Sequence, residues 1–413
     1  MLNVVVLNGG RGAAALIPAL IEQPDLQVTS IVNAYDDGKS TGEIRKFFRM
    51  LGPSDIRKVQ ELMLPKNDSN YKEYLNLFRF RFAVNCPREY AISQINEFVS
   101  KEENNNLVGA KIESEHVKKN LKLMLKEFIK CLTVIEKLEK EEFDFSDCSI
   151  MNCIYAGAFI YFRRNIERAT LFVDRLFRLR GTVISTSNEN RHLVALRDNG
   201  EVIYTEADIV ELRSNVRIKR LFLLEDPLDK SKFKTLQENE KYYYLDRHHS
   251  SLPVSPSVKL ALKEADIIVY SSGTQHSSLY PSYLSSGLAE TIADNKNATK
   301  VFITNIGADY ETPMYKASDY IFGAHRYLEL SGERKYSMED LFTIALINKS
   351  ESANSSYVKY DEEGFKEITI PKIVANFESK LSPGKHNGSM LVEQILNTHT
   401  ANYWIKSKPM DII

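Results

Sequence analysis

The chain has few cysteines, a single tryptophan and no surplus of either charge: 54 Lys+Arg stand against 55 Asp+Glu in 413 residues, a net charge of −1. Balanced charge argues against a dedicated DNA or RNA binder, which needs an extended basic surface to neutralise phosphates, and leaves room only for local basic patches. The four cysteines, Cys86, Cys131, Cys148 and Cys153, make no CxxC pair and have no histidine at zinc-ligand spacing. Cys148 and Cys153 lie in an apolar run and read as reduced, buried thiols. No apolar stretch reaches the ~18 residues that cross a bilayer. The start of the chain carries no basic n-region or cleavage-type site. A soluble, cytoplasmic protein without a membrane partner is therefore expected. GxSxG is missing, which removes the nucleophile elbow of an α/β-hydrolase.

What is present points to a packed α/β protein. At 43% apolar and 26% charged residues the chain falls in the globular range, not among disordered sequences. Residues 2–7 are a short β-branched run, as expected of a strand buried on both faces of a parallel sheet. Asn8-Gly9-Gly10-Arg11-Gly12 follows, then a helical stretch to residue 22 and a second buried strand at 28–33. Strand, glycine turn, helix, strand is the opening of a Rossmann-like, doubly wound fold with a mainly parallel sheet. Further buried strands are expected at 265–270, 300–305 and 342–348. Asp198-Asn199-Gly200 between two apolar runs marks a small β-hairpin region. Strand signals vanish between about 66 and 146, where residues 116–138 place apolar side chains at three- and four-residue spacing. One α/β domain over 1–413, with a helical insertion at 83–146, is the expected organisation.

Open parallel sheets bind ligands beyond the carboxyl ends of their strands, and four such ends here, at 8–12, 36–42, 271–278 and 305–309, carry polar or glycine-rich residues. The turn at 8–12 reads either as a tight strand-to-helix connection or as a phosphate cradle built from backbone N–H groups. Asp36-Asp37, followed by Gly38, Lys39, Ser40 and Thr41, reads as an exposed acidic turn or as a pair of Mg²⁺ ligands. Ser54-Asp55-Ile56-Arg57-Lys58 is a helix start with basic surface, or a carboxylate and guanidinium offered to a polyphosphate. The loop 271–278 is rich in hydroxyls around Gly273, which suits phosphate or sugar recognition. His276 within it is an acid/base candidate or a bystander.

Together these motifs, with the 271–281 segment SSGTQHSSLYP and the FRFRF stretch, resemble the CofD-like family in the same order. That family contains the 2-phospho-L-lactate transferases of deazaflavin coenzyme biosynthesis and the YvcK-type nucleotide-sugar-binding proteins. The resemblance extends to Asn152, Asn305, Asn348 and His386-Asn387. It implies a nucleoside-diphosphate or nucleotide-sugar (UDP-sugar) ligand, bound by Gly9, Gly10, Arg11, Gly12, Lys39, Ser40, Asp55, Asn152, Ser272, Gly273, Thr274, Ser277 and Asn305. Asp36 and Asp37 would hold Mg²⁺, and Asp36, Asp37 and Arg57 would serve catalysis. Asn8, Arg11, Lys39 and Met151 depart from the family's usual residues. Two functions follow. One is a transferase moving a phosphate-ester unit from a nucleoside diphosphate to an acceptor hydroxyl. The other is a non-catalytic nucleotide-sugar sensor linked to carbon metabolism and cell-wall growth. A homo-oligomer is compatible with either.

Overall fold

The computed structural model of the protein describes residues 1–349 and 356–407. Its frame is a seven-stranded parallel sheet of β1 (Leu2–Asn8), β2 (Leu26–Val32), β3 (Thr182–Ser185), β4 (Ile267–Tyr270), β5 (Thr299–Ile303), β6 (Ile344–Asn348) and β7 (Lys372–Ala375). The spatial order is β7-β6-β5-β4-β1-β2-β3. This is the doubly wound arrangement: the chain lays strands outward from β1 on one side, then returns to β1 and lays the rest on the other. Parallel register runs Val4 opposite Ile267, Val301 opposite Val269, Ile344 opposite Val301, and Lys372 opposite Ala345. Val4 to Leu7 and Ile267 to Tyr270 are all within 2% of full burial, as β-branched runs covered on both faces should be.

By packing, the chain forms two compact units. The first comprises Met1–Ile31, Arg213–Ile218 and Ser251–Ile413; the second comprises Val32–Leu212 and Lys219–Ser250. In the first unit, helix α1 (Leu16–Ile21) follows the glycine turn, and the long helices Ala317–Ser331 and Gly388–Ser407 come later in the chain. Edge strand β7 has no counterpart in the sequence reading. Its four residues follow Pro371 and are largely half-exposed, and its apolar run, Ile373-Val374-Ala375, is only three residues long.

In the second unit, α2 (Lys39–Phe48) and α3 (Ser54–Leu62) follow β2. The insertion supplies helix Arg88–Ser100, a two-residue hairpin (Asn106 opposite Lys111) and α4 (Glu115–Glu139). No strand of the central sheet lies within it among the described residues. Val117, Leu121, Met124, Leu125, Phe128 and Leu132 form the buried stripe of α4, the amphipathic face expected from the sequence. That face meets α5 (Ile150–Tyr161) so closely that a Cβ on Gly157 would fall 1.8 Å from the Met124 carbonyl oxygen. Phe48 stacks on Phe128 at 5.4 Å, and Phe143 meets Phe145 edge-on at 4.8 Å. After α6 (Ile166–Leu176) and β3, a satellite core of Val194, Leu196, Val202, Phe222, Leu224, Phe233 and Leu245 closes over a three-stranded sheet. Its first hairpin pairs Ala195 with Ile203 around the Asp198-Asn199-Gly200 turn, and Gly200 takes the positive φ (+78°) the turn needs. Cys148 and Cys153 are buried free thiols in hydrogen-bond contact, their sulfurs 3.8 Å apart.

Candidate functional site

β1 and β4 are hydrogen-bonded neighbours, and between them the strand order changes direction. Loops leaving the carboxyl ends of such a pair part in opposite senses and open the crevice where these folds bind ligands. Here the two loops are the glycine turn after β1 and the hydroxyl-rich loop after β4, both in the first unit. They approach to backbone contact. A Cβ on Gly12 would stand 2.6 Å from the Cα of Gly273 and 2.6 Å from the carbonyl oxygen of Ser272, and one on Gly9 would fall 2.1 Å from the Ser278 Cβ. Glycine at these places is a spacing requirement, which the sequence pattern could not separate from a requirement of the turn. Asn8, which departs from the family's usual glycine, is buried and donates from Nδ2 to Ser30 Oγ at 2.5 Å, tying β1 to β2.

The hydroxyl-rich loop is knitted mostly to the protein. Asn305 clamps Gly273 at both ends of its peptide: Oδ1 accepts the Gly273 N–H and Nδ2 donates to the Gly273 carbonyl, each at 2.9 Å. Thr274 Oγ1 donates to Ser278 Oγ at 2.8 Å. Glu311, fully buried, accepts the N–H groups of His276 and Ser277 at 2.9 Å each on Oε2, and the Ser277 hydroxyl at 2.5 Å on Oε1. It thereby occupies the amide groups that open the turn Gln275–Leu279. Burial, with Asp309 adding to it, pushes the Glu311 carboxyl up to about 8. His276 packs edge-on to Tyr280 at 5.0 Å, with Tyr315 and Tyr327 also beside its ring. Ser272 Oγ lies 3.3 Å from Nδ1 of His386, a buried imidazole that desolvation lowers to about 4 and so keeps neutral at pH 7. Sequence reasoning missed Glu311, an acid two residues after Asp309 in a polar loop with no motif around it.

A second polar group belongs to the other unit, at the end of β2. Asp36 Oδ1 accepts the Gly38 N–H at 3.0 Å, and Oδ2 lies 3.9 Å from the Lys58 ammonium. Lys58 in turn donates to Asp55 Oδ1 at 2.9 Å. Burial raises the Asp36 carboxyl above its usual range, opposed by Lys58. Burial alone would lower Lys58, but Asp55 and Asp36 outweigh it and hold the ammonium above its ordinary value. Asp37 Oδ1 accepts the Ala207 N–H at 2.9 Å, near the start of helix Glu206–Glu211. Arg57 is buried and donates from Nη1 to the Phe78 carbonyl at 2.7 Å. Ser40 Oγ accepts from Asn152 Nδ2 at 3.2 Å and from Arg81 at 3.4 Å. Arg81 also grips Asp147 through two nitrogens, at 2.6 and 3.2 Å.

Arg45, which no motif singled out, is the most heavily used cation of this group. Its guanidinium donates to the carbonyls of Tyr35 (2.6 Å), Asp36 (3.2 Å) and Arg191 (2.6 Å), and to Asn190 Oδ1 (2.6 Å). As candidate magnesium ligands, Asp36 and Asp37 each already spend one oxygen on a backbone amide, and Lys58 supplies the positive charge between Asp36 and Asp55. Among the described residues, no three His, Cys, Asp or Glu side chains gather as a metal cage. The side chains of Arg11 and Lys39 lie outside the described set.

A doubly wound α/β sheet with paired glycine and hydroxyl loops at its switch point defines a protein of the Rossmann-like fold class. Within that class, the chain belongs to the family described as 2-phospho-L-lactate transferase CofD, which matches residues 4–379. Similar curated proteins bear another name. A gluconeogenesis factor of Listeria monocytogenes is 26% identical over 380 residues, covering 91% of this chain and 89% of its own. A putative gluconeogenesis factor of Thermotoga maritima is 22% identical over 375 residues, covering 90% and 87%. In fold, the chain is similar to the crystal structure of a UPF0052 family protein from Bacillus halodurans, with a TM-score of 0.65, 21% identity, and coverage of 96% of this chain and 99% of that one. No helix among the described residues is long and apolar enough to cross a membrane.

Proposed function

We propose that this protein is a nucleotide-sugar-binding regulatory protein of the gluconeogenesis-factor type, acting in carbon metabolism. The observation that carries the reading is the backbone-to-backbone approach of Gly12 to Gly273 and Ser272 at the switch point of the sheet. Two loops held this close present peptide groups rather than side chains, which suits a diphosphate. The names of the relatives, matched over about nine-tenths of the chain, support the regulatory branch over the transferase branch. So does the engagement of Arg57 with Phe78 and of Asp37 with Ala207, since phosphoryl-type transfer relies on cations and carboxylates turned toward the reacting phosphate. Magnesium is assigned to the ligand as its counter-ion, because Lys58 already faces Asp36 and Asp55.

A panel of nucleosides, nucleoside diphosphates and UDP-sugars, each with and without Mg²⁺, tests this by thermal shift. A UDP-sugar at a hundred times its dissociation constant adds about 2.7 kcal/mol and should raise the midpoint, while the bare nucleoside should not. Release of nucleoside monophosphate when an acceptor alcohol is added would establish the transferase instead. Absence of any shift with every diphosphate would remove both.

A further inference from the structure

The second unit carries a feature that the ligand assignment does not use. Helix α6 lies beside the start of α4, and between them runs an open groove of about 500 Å³. Its lining is Phe162, Leu171, Phe172 and Leu176, with Arg168, Arg175, His116 and Asn120. Leu171 and Phe172 are only half-buried, while Arg168 and Arg175 are exposed. No carboxylate lines the groove. Among the described residues, neither guanidinium has a carboxylate within ion-pair distance. Asp174, whose field reaches Arg175, is buried and turned toward the Gln60 amide (2.7 Å) and the Val183 N–H (3.1 Å). A separate, smaller hollow of about 230 Å³ shares His116 and Leu176 with the groove and has Asp68 and Arg178 in its wall.

Spacing identifies the occupant. Arg168, Leu171, Phe172 and Arg175 fall at i, i+3, i+4 and i+7 of one helix, so they share a face. Seven residues at 1.5 Å rise put the two guanidinium stems about 10.5 Å apart, with the apolar pair between them. A helix laid along the groove with acids at i and i+7 and apolar residues at i+3 and i+4 presents the complementary pattern. Arginine forks pair carboxylates bidentately, and helix-in-groove docking is read through these same anchor positions. We propose that the α4–α6 groove is the docking site for an acidic amphipathic helix of a partner protein. The assignment is independent of which small molecule the glycine turn takes.

The test uses the full chain against a displayed library of helical peptides randomised at four positions, i, i+3, i+4 and i+7. Selection should enrich Asp or Glu at the outer pair and Leu, Ile, Phe or Met at the inner pair. The enriched peptide should lose at least tenfold in affinity to R168E/R175E protein and weaken as salt rises from 50 to 300 mM. Circular dichroism and melting of that variant should match the wild type, since both side chains are exposed. Enrichment of peptides without acids, equal binding by the charge-reversed protein, or no enrichment above a protein-free control would each overturn the proposal. So would a wild-type dimer in sedimentation that R168E/R175E dissociates, because the occupant would then be a second copy. Binding of anionic vesicles abolished by the same variant would overturn it in favour of a membrane.

Discussion

Replacing Gly12 by alanine isolates the contact on which the ligand site rests. The added Cβ would stand 2.6 Å from both the Gly273 Cα and the Ser272 oxygen, where ordinary contacts begin near 3.4 Å. Both neighbours are backbone atoms, so no rotamer change relieves the overlap, and the two loops must part by roughly 1 Å. Overpacking of this kind costs about 1–3 kcal/mol. Gly12 does not sit at positive φ, so crowding alone carries the cost, without a dihedral penalty. Gly307 is the control: a Cβ there meets nothing closer than the Gly384 oxygen at 3.5 Å, and its φ is likewise not positive. Gly307→Ala should stay within about 0.5 kcal/mol of wild type, as unconstrained surface changes do. In a thermal melt, Gly12→Ala should lower the transition of its unit by about 4–8 °C if the cost is near 2 kcal/mol. Binding of a UDP-sugar should weaken at least tenfold, because peptide groups displaced by 1 Å no longer match a diphosphate. A Gly12→Ala protein as stable as Gly307→Ala would refute the close approach. A destabilised variant with full ligand affinity would keep the packing and refute the site.

Gly157→Ala places a Cβ 1.8 Å from the Met124 carbonyl oxygen, so α4 and α5 must separate, and urea unfolding should show a loss of about 2 kcal/mol or more despite alanine's better helix propensity. Arg45→Ala removes a guanidinium that serves four acceptors, two in the loop after β2 and two in the stretch after β3; a loss of about 3 kcal/mol is expected, with Arg45→Lys recovering only part, as chemical denaturation would measure. Glu311 binds its proton more tightly folded (about 8) than unfolded (4.5), so its ionisation erodes stability as pH climbs from about 4.5 to 8. Melting of Glu311→Gln across pH 5–9 should therefore show a flatter decline than wild type. Glu311→Ala should be destabilised at every pH, because the His276 and Ser277 amides lose their acceptor.

The sequence by itself determined the sheet's frame and the glycine-rich and hydroxyl-rich loops at its strand ends. Parallel strands covered on both faces are near-continuous apolar runs, so β1, β2, β4, β5 and β6 stand out as short, mostly apolar runs between polar turns. The α4 stripe was legible for the same kind of reason, since a helix with one covered face repeats every 3.6 residues. Tertiary structure alone decided what the polar residues do. Asn305, Ser277, Arg57 and Asp37 carry the residue types of a ligand site, yet they hydrogen-bond to Gly273, Glu311, Phe78 and Ala207, at sequence separations of 21 to 170 residues. A short polar motif specifies donors and acceptors but not which of them the fold will use up. That is set by long-range packing, which also places Glu311 under a loop more than thirty residues away and gathers Lys58 between two carboxylates. Half-exposed β7 escaped detection because its apolar run, Ile373-Val374-Ala375, is only three residues long, and the groove beside α6 because its arginines are ordinary surface residues until a second helix supplies the opposite wall.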